Sequence, residues 1–189
     1  MKNIILDNMI LQKENKVLRQ NAKPVADPKN TDIKNLIEKM AEVMFAEPDG
    51  IGIAAPQIGK SLRIFLVAKE AAVRNADELR ERIGDENKKR NIDYLVFINP
   101  VVKNFASKKM KDVEGCLSVR GLYGEVSRAE KITIEYLDES GKKRQRGASG
   151  LFARVIQHEL DHLDGVLFID KAKNLKKISN SQFPISNEN

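Results

Sequence analysis

The stretch His158-Glu159-Leu160-Asp161-His162 narrows what this chain can be more than any other. Around it, Phe152, Val155, Ile156, Leu160 and Leu163 recur at helical spacing, and Leu163-Asp164-Gly165 closes the pattern with a natural helix stop. The spacing therefore predicts a helix. Positions i and i+4 lie on one helical face about one turn apart, so both imidazoles can reach a single metal ion while Glu159 stays beside it. These are the only two histidines in the sequence. Two imidazoles do not complete a metal site, and a third ligand has to come from elsewhere in the chain.

At 189 residues the chain can bury one real core and is short for two. Residues 1–170 are expected to form a single catalytic domain. Residues 171–189 turn basic and then Ser- and Asn-rich, and are expected to fray as a polar tail. No apolar run approaches the roughly 18 to 20 residues of a membrane span, so no membrane partner is expected. Met1 to Gln20 is interrupted by Asp7 and Glu14 and is followed by no apolar stretch with a small-residue cleavage site, which favours a cytoplasmic location. Cys116 is the one cysteine, which excludes an internal disulfide and leaves a thiol for chemistry. The net charge of +6 is modest and spread along the chain. It does not mark a DNA-binding protein, although it is compatible with an RNA-rich partner such as the ribosome.

The rest of the pattern reads as α+β, mainly antiparallel sheets packed around the His158–His162 helix. In the N-terminal half, Ile33, Leu36, Ile37, Met40, Val43 and Met44 form one helical stripe, with Thr31 or Asp32 as N-cap and Pro48-Asp49-Gly50 as the stop. Residues 62–67 and 94–98 read as strands, the second ended by Asn99-Pro100, and Val101 to Ala106 can extend the sheet. Residues 131–136 alternate as a half-buried strand that Arg144 to Ala148 can pair with. The first thirty residues read as a surface wrap, and 69–93 as a charged surface insertion.

Two further stretches carry chemistry. Gly50-Ile51-Gly52-Ile53-Ala54-Ala55-Pro56-Gln57 is glycine-rich but lacks the Gly-Lys-Ser/Thr ending of a phosphate loop. Its glycines let backbone approach a ligand closely, and Gln57 offers a side-chain amide. In Glu114-Gly115-Cys116-Leu117-Ser118, Cys116 supplies a thiolate. One Cys with two His makes three protein ligands, the number typical of a catalytic site that keeps a fourth position for water.

Taken in order, these two stretches and Gln157-His158-Glu159-Leu160-Asp161-His162 resemble the three motifs of the peptide deformylases, spanning residues 50 to 162. The resemblance implies a metal-dependent amidase that removes the formyl group from the N-terminal formyl-methionine of nascent peptides and releases formate. It implies Cys116, His158 and His162 as ligands of one divalent ion, Fe2+ in the family, although one sulfur and two nitrogens also accept Zn2+, Ni2+ or Co2+. It further implies Glu159 as proton carrier, with the Gln57 amide and the Leu117 backbone N–H as donors to the developing oxyanion. Backbone at Ile51, Gly52 and Gly115 would hold the peptide as an added strand, and Ile51, Val155 and the His158 ring would wall the methionine pocket.

Three positions depart from the family pattern. Arg154 stands one turn before His158, Val119-Arg120-Gly121 stands where many relatives carry a proline and affects contacts near Tyr123, and the insertion at 69–93 is long. Two other functions compete. A zinc endopeptidase would need Asp164 or Asp170 as third ligand, and a non-catalytic RNA-associated module would leave Gln57 and the cysteine motif without a role.

Overall fold

The computed structural model describes residues 9–72 and 92–177. Among these residues two α-helices, α1 (Thr31–Ala46) and α2 (Gly150–Leu163), accompany eight strands: β1 (Gly52–Ala54), β2 (Ile64–Ala68), β3 (Tyr94–Phe105), β4 (Lys109–Glu114), β5 (Leu122–Ala129), β6 (Lys131–Leu137), β7 (Lys143–Ser149) and β8 (Lys173–Lys177). A five-stranded sheet runs β1-β2-β3-β6-β7 and a three-stranded sheet β4-β5-β8, with every ladder antiparallel. No helix among the described residues is long and apolar enough to cross a membrane.

The unbroken apolar run of β2 follows from burial on both faces. Successive strand side chains point to opposite sides, so Phe65 and Val67 join Phe97, Ile134, Phe152 and Ile156 beneath α2. Ile64 and Leu66 join Ile37, Met40 and Met44 beneath α1. The larger sheet is thus layered between the two helices. Phe65 and Phe97 stack with centroids 4.6 Å apart, and truncating either to alanine would cost about 3–5 kcal/mol.

Several local expectations shift. The N-cap of α1 is Asn30, one residue earlier than expected, whose Oδ1 accepts from Asp32 N at 2.8 Å. Asn99-Pro100 does not end β3. Asn99 adopts φ 49°, and its amide pairs with both backbone groups of Val25 at 2.8 Å, so the strand passes through the break with a shifted register. That pairing, a short 3-10 helix at Lys16–Arg19 and the burial of Ile10, Leu18, Ala22 and Val25 make the N-terminal segment part of the core rather than a surface wrap. The tail does not fray at its start: Lys173–Lys177 pairs with β5 as β8. Of the expected insertion, Lys69–Ala72 is a 3-10 helix with Ala71 buried in the core, and Lys69 N donates to Asp93 O at 2.8 Å. The remainder, 73–91, lies outside the described residues.

Candidate metal centre

Helix α2 carries His158, Glu159 and His162 towards the seam between the two sheets. Cys116 follows β4, where a turn closed by Val119 N donating to Cys116 O at 2.9 Å brings the thiol back over the helix. Cys116 Sγ lies 3.2 Å from His162 Nε2, and one donor atom from each of Cys116, His158 and His162 lies within 4.8 Å of the others. Segments of the chain remote in sequence thus converge on a volume the size of one ion.

One of the three donors, His158, is held from behind. His158 Nδ1 is 3.0 Å from Glu114 Oε2. Burial would raise the Glu114 pKa, but hydrogen bonds from Arg128 and His158 outweigh it and hold the carboxyl well below its usual range. An ionised Glu114 can only accept, so His158 carries its proton on Nδ1 and turns Nε2 towards the other donors. Arg128 grips both Glu114 oxygens at 2.9 and 2.8 Å and donates to Asp161 Oδ2 at 2.6 Å. Gln157, the residue before His158, is locked to strand β5 by Ala129 N donating to its Oε1 at 3.0 Å and its Nε2 donating to Ala129 O at 2.9 Å.

Charge is distributed unevenly across the site. Burial would depress the His158 pKa, but hydrogen bonding to Cys116 and Glu114 lifts it well above the usual imidazole value. Burial, reinforced by the charges of His158 and Arg128, pushes His162 well below it. Burial likewise drives the Glu159 carboxyl up to about 7, against the pull of His158 and Arg128. Glu159 Oε2 and His162 Nδ1 are buried without a hydrogen-bond partner among the described residues. A buried acceptor left without a partner is costly, and the Glu159 oxygen beside one sulfur and two imidazole nitrogens fits a site for a divalent ion of borderline softness.

Gln57 sits on a 3-10 helix, Ala55–Ile58, directly after β1. It is 1% exposed, accepts from Ala54 N at 2.8 Å, and donates to Ser118 Oγ at 3.2 Å with its Nε2 3.7 Å from Cys116 Sγ. The strap ahead of the first 3-10 helix braces this corner: Leu11 N donates to Gln57 O at 2.7 Å and Gln12 Nε2 to Leu117 O at 3.3 Å. Gly52 faces Glu159 and Val155, while Gly115 faces the Tyr123 ring. Ile51 is half-buried between the two main apolar clusters. Val155, on α2, is buried in the apolar cluster between that helix and the larger sheet.

Sequence reasoning missed the supports. Arg154 lines no apolar pocket; it is buried in the Glu114 ion cluster. Arg120 makes a two-pronged pair with Glu47 beside the C-terminus of α1, at 2.6 and 3.2 Å. Glu114 stood in its motif without a role, and Arg128 and Gln12 carried no motif. The two acidic residues an endopeptidase would have used are engaged elsewhere, Asp164 with Arg63 and Asp170 with Arg19.

A thiol, two imidazoles and a buried carboxylate arranged in this way belong to the metal-dependent hydrolases. The profile of the polypeptide deformylase family matches residues 8–178. A peptide deformylase from Pelagibacter ubique is 44% identical over 168 residues, covering 89% of this chain and 87% of its own. One from Thermus thermophilus is 44% identical over 164 residues, covering 85% and 80%. The crystal structure of an Acinetobacter baumannii peptide deformylase with Met-Ala-Ser bound superposes with a TM-score of 0.72 at 32% identity, covering 86% of this chain and 96% of that one. The chain belongs to the polypeptide deformylase family, enzymes that remove the N-formyl group from nascent peptides.

Proposed function

We propose that Cys116, His158 and His162 hold one divalent ion, Fe2+ by resemblance, and that this site hydrolyses the formamide of N-formyl-methionyl peptides. The observation that carries the reading is the approach of one sulfur and two imidazoles to within 4.8 Å beside a buried carboxylate. When bound, such an ion acts as a Lewis acid towards the formyl oxygen and makes a neighbouring water more acidic. Glu159, 3% exposed and adjacent to a ligand in sequence, takes the proton of the attacking water and returns it to the departing methionyl amine. The Gln57 amide and the Leu117 N–H donate to the formyl oxygen as it takes up negative charge when water adds to the formyl carbon. The Gln57 side chain is preset by Ala54 N and Ser118 Oγ, which limits its reorganisation during the reaction.

The peptide binds as an additional strand. Strand β1 forms one edge of the larger sheet and leads into Gln57, while Gly115 follows β4 at an edge of the smaller one. Ile51 and Val155 wall the methionine pocket. The tripeptide on the Acinetobacter relative supports an occupant of this length. Outside the groove, Lys173, Lys176 and Lys177 on the exposed strand β8 offer phosphate contacts to ribosomal RNA, in a cytoplasmic setting. Charge reversal of these three should abolish low-salt ribosome co-sedimentation; unchanged co-sedimentation would remove that contact.

The test of the main reading is formate release from formyl-Met-Ala-Ser by anaerobically purified protein. Turnover should disappear with chelator and with Glu159→Ala. Release that persists in Glu159→Ala at the unmodified rate contradicts the assignment.

A further inference from the structure

Arg154 interrupts the apolar pattern of α2, and the ligand assignment gives it no task. It is 7% exposed, and its guanidinium makes three hydrogen bonds. Nη1 donates to Glu114 Oε1 at 2.6 Å and to Val126 O at 2.9 Å; Nη2 donates to Met110 O at 2.8 Å; Nε lies 3.8 Å from Asp112 Oδ2. Met110 and Asp112 are on β4, Val126 is on β5, and Asp112 is directly opposite Val126 in the ladder. One planar fork rooted in the helix therefore bridges both strands of the pair and the carboxylate that terminates β4.

Those same elements carry the metal donors. Cys116 lies two residues past Glu114, and His158 lies one helical turn past Arg154. Gln157 and Arg128 already tie α2 to β5, but neither reaches the backbone of β4, and the apolar contacts of the strand pair tolerate small shifts because they are non-directional. A guanidinium fork with three hydrogen bonds in fixed directions does not. Arg128 shares Glu114 but comes from β5 itself, so it ties the carboxylate to Asp161 and to Gln157 O without reaching the β4 backbone in any contact described above.

We infer that Arg154 is a positioning residue of the metal centre: it clasps the strand pair that bears the sulfur ligand to the helix that bears both imidazoles, and it orients the Glu114 carboxylate behind His158. The inference rests on the ligand assignment proposed above. Outer groups that orient metal ligands are typically worth about 10- to 100-fold in metal affinity, and Arg154 acts on two of the three ligands at once.

The experiment is titration of metal-free protein with Co2+ alone, read by the thiolate-to-cobalt charge-transfer band and the visible d–d bands, for the unmodified chain, Arg154→Met and Arg154→Lys. Thermal midpoints of the metal-free proteins are measured alongside. Arg154→Met should weaken Co2+ binding by about 10- to 100-fold and alter the charge-transfer band; Arg154→Lys, with its charge but no fork, should fall between. Should Arg154→Met fail to fold, the comparison is made on Arg154→Lys, where affinity and spectrum equal to the unmodified chain overturn the inference. Lower thermal midpoints with unchanged affinity and spectra in both variants also overturn it, leaving Arg154 a structural residue only. Absence of the sulfur band from the unmodified chain overturns the ligand assignment itself, and this inference with it.

Discussion

Gly52 packs against Glu159 with no room for a side chain between them. A Cβ on Gly52 would fall 2.9 Å from Val155 Cγ1 and 3.0 Å from the Glu159 carboxyl carbon, inside the distance any carbon contact tolerates. The carboxylate is buried, so a Cβ on Gly52 would have to push it aside. The second glycine of the Gly50-Ile51-Gly52 run is therefore a spacing requirement, set by the Glu159 carboxylate on the far side.

Gly52→Ala should accordingly displace Glu159 while leaving the fold in place. A shift of about 1 Å at a reacting group costs on the order of 100-fold in rate. The expected result is a fall of that order in kcat/KM on a formyl-methionyl peptide with a circular dichroism spectrum like that of the unmodified chain. Full activity would mean the Glu159 position is not critical.

Gln12 braces the peptide that contains the Leu117 carbonyl, at 3.3 Å, next to the residue whose N–H donates to Gln57 O. Gln12→Leu removes one hydrogen bond, worth about 0.5–1.5 kcal/mol, or about 2- to 10-fold in rate if it is felt only in the transition state. Steady-state kinetics should show that fall in kcat with KM unchanged. A rise in KM with kcat unchanged would assign Gln12 to peptide binding instead.

Asp170 ties the chain after α2 to the N-terminal segment. It pairs with Arg19 and accepts from Leu167 N at 2.9 Å. Partial burial would raise its pKa, but the Arg19 and Leu167 hydrogen bonds outweigh that and hold it below the usual carboxylate range. A depressed carboxyl pKa contributes stability that is present above the unfolded value and lost as pH falls through the folded one. Asp170→Asn should therefore be less stable than the unmodified chain at pH 7, by an amount that shrinks as pH drops below about 4. Urea melts at pH 7 and pH 3 check this; a difference that is the same at both would mean the charge plays no part.

Much of the frame was legible because it follows from local pattern. The stripe of α1, the stripe of α2 and the unbroken apolar run of β2 each reflect one burial geometry, single-faced for the helices and two-faced for the strand. What escaped reading depends on partners distant in sequence. Asn99 looks like a strand breaker until Val25 is seen to take both ends of its amide. Strand β8 reads as a solvated tail because all five of its residues are exposed, and only its backbone pairing with β5 makes it a strand. The motifs that bring Cys116, His158 and His162 together were readable in order, but the supports of that cluster were not. Glu114, Arg128 and Arg154 form a buried ion cluster assembled from β4, β5 and α2, and no periodicity encodes which arginine meets which carboxylate.

The most direct test of the account is X-ray absorption spectroscopy of the metal-loaded protein, compared with Cys116→Ser. The account predicts one sulfur and two imidazole nitrogens around a single ion, with the sulfur contribution gone in the variant. An ion surrounded only by nitrogen and oxygen in the unmodified chain, or a spectrum that Cys116→Ser leaves unchanged, would contradict it.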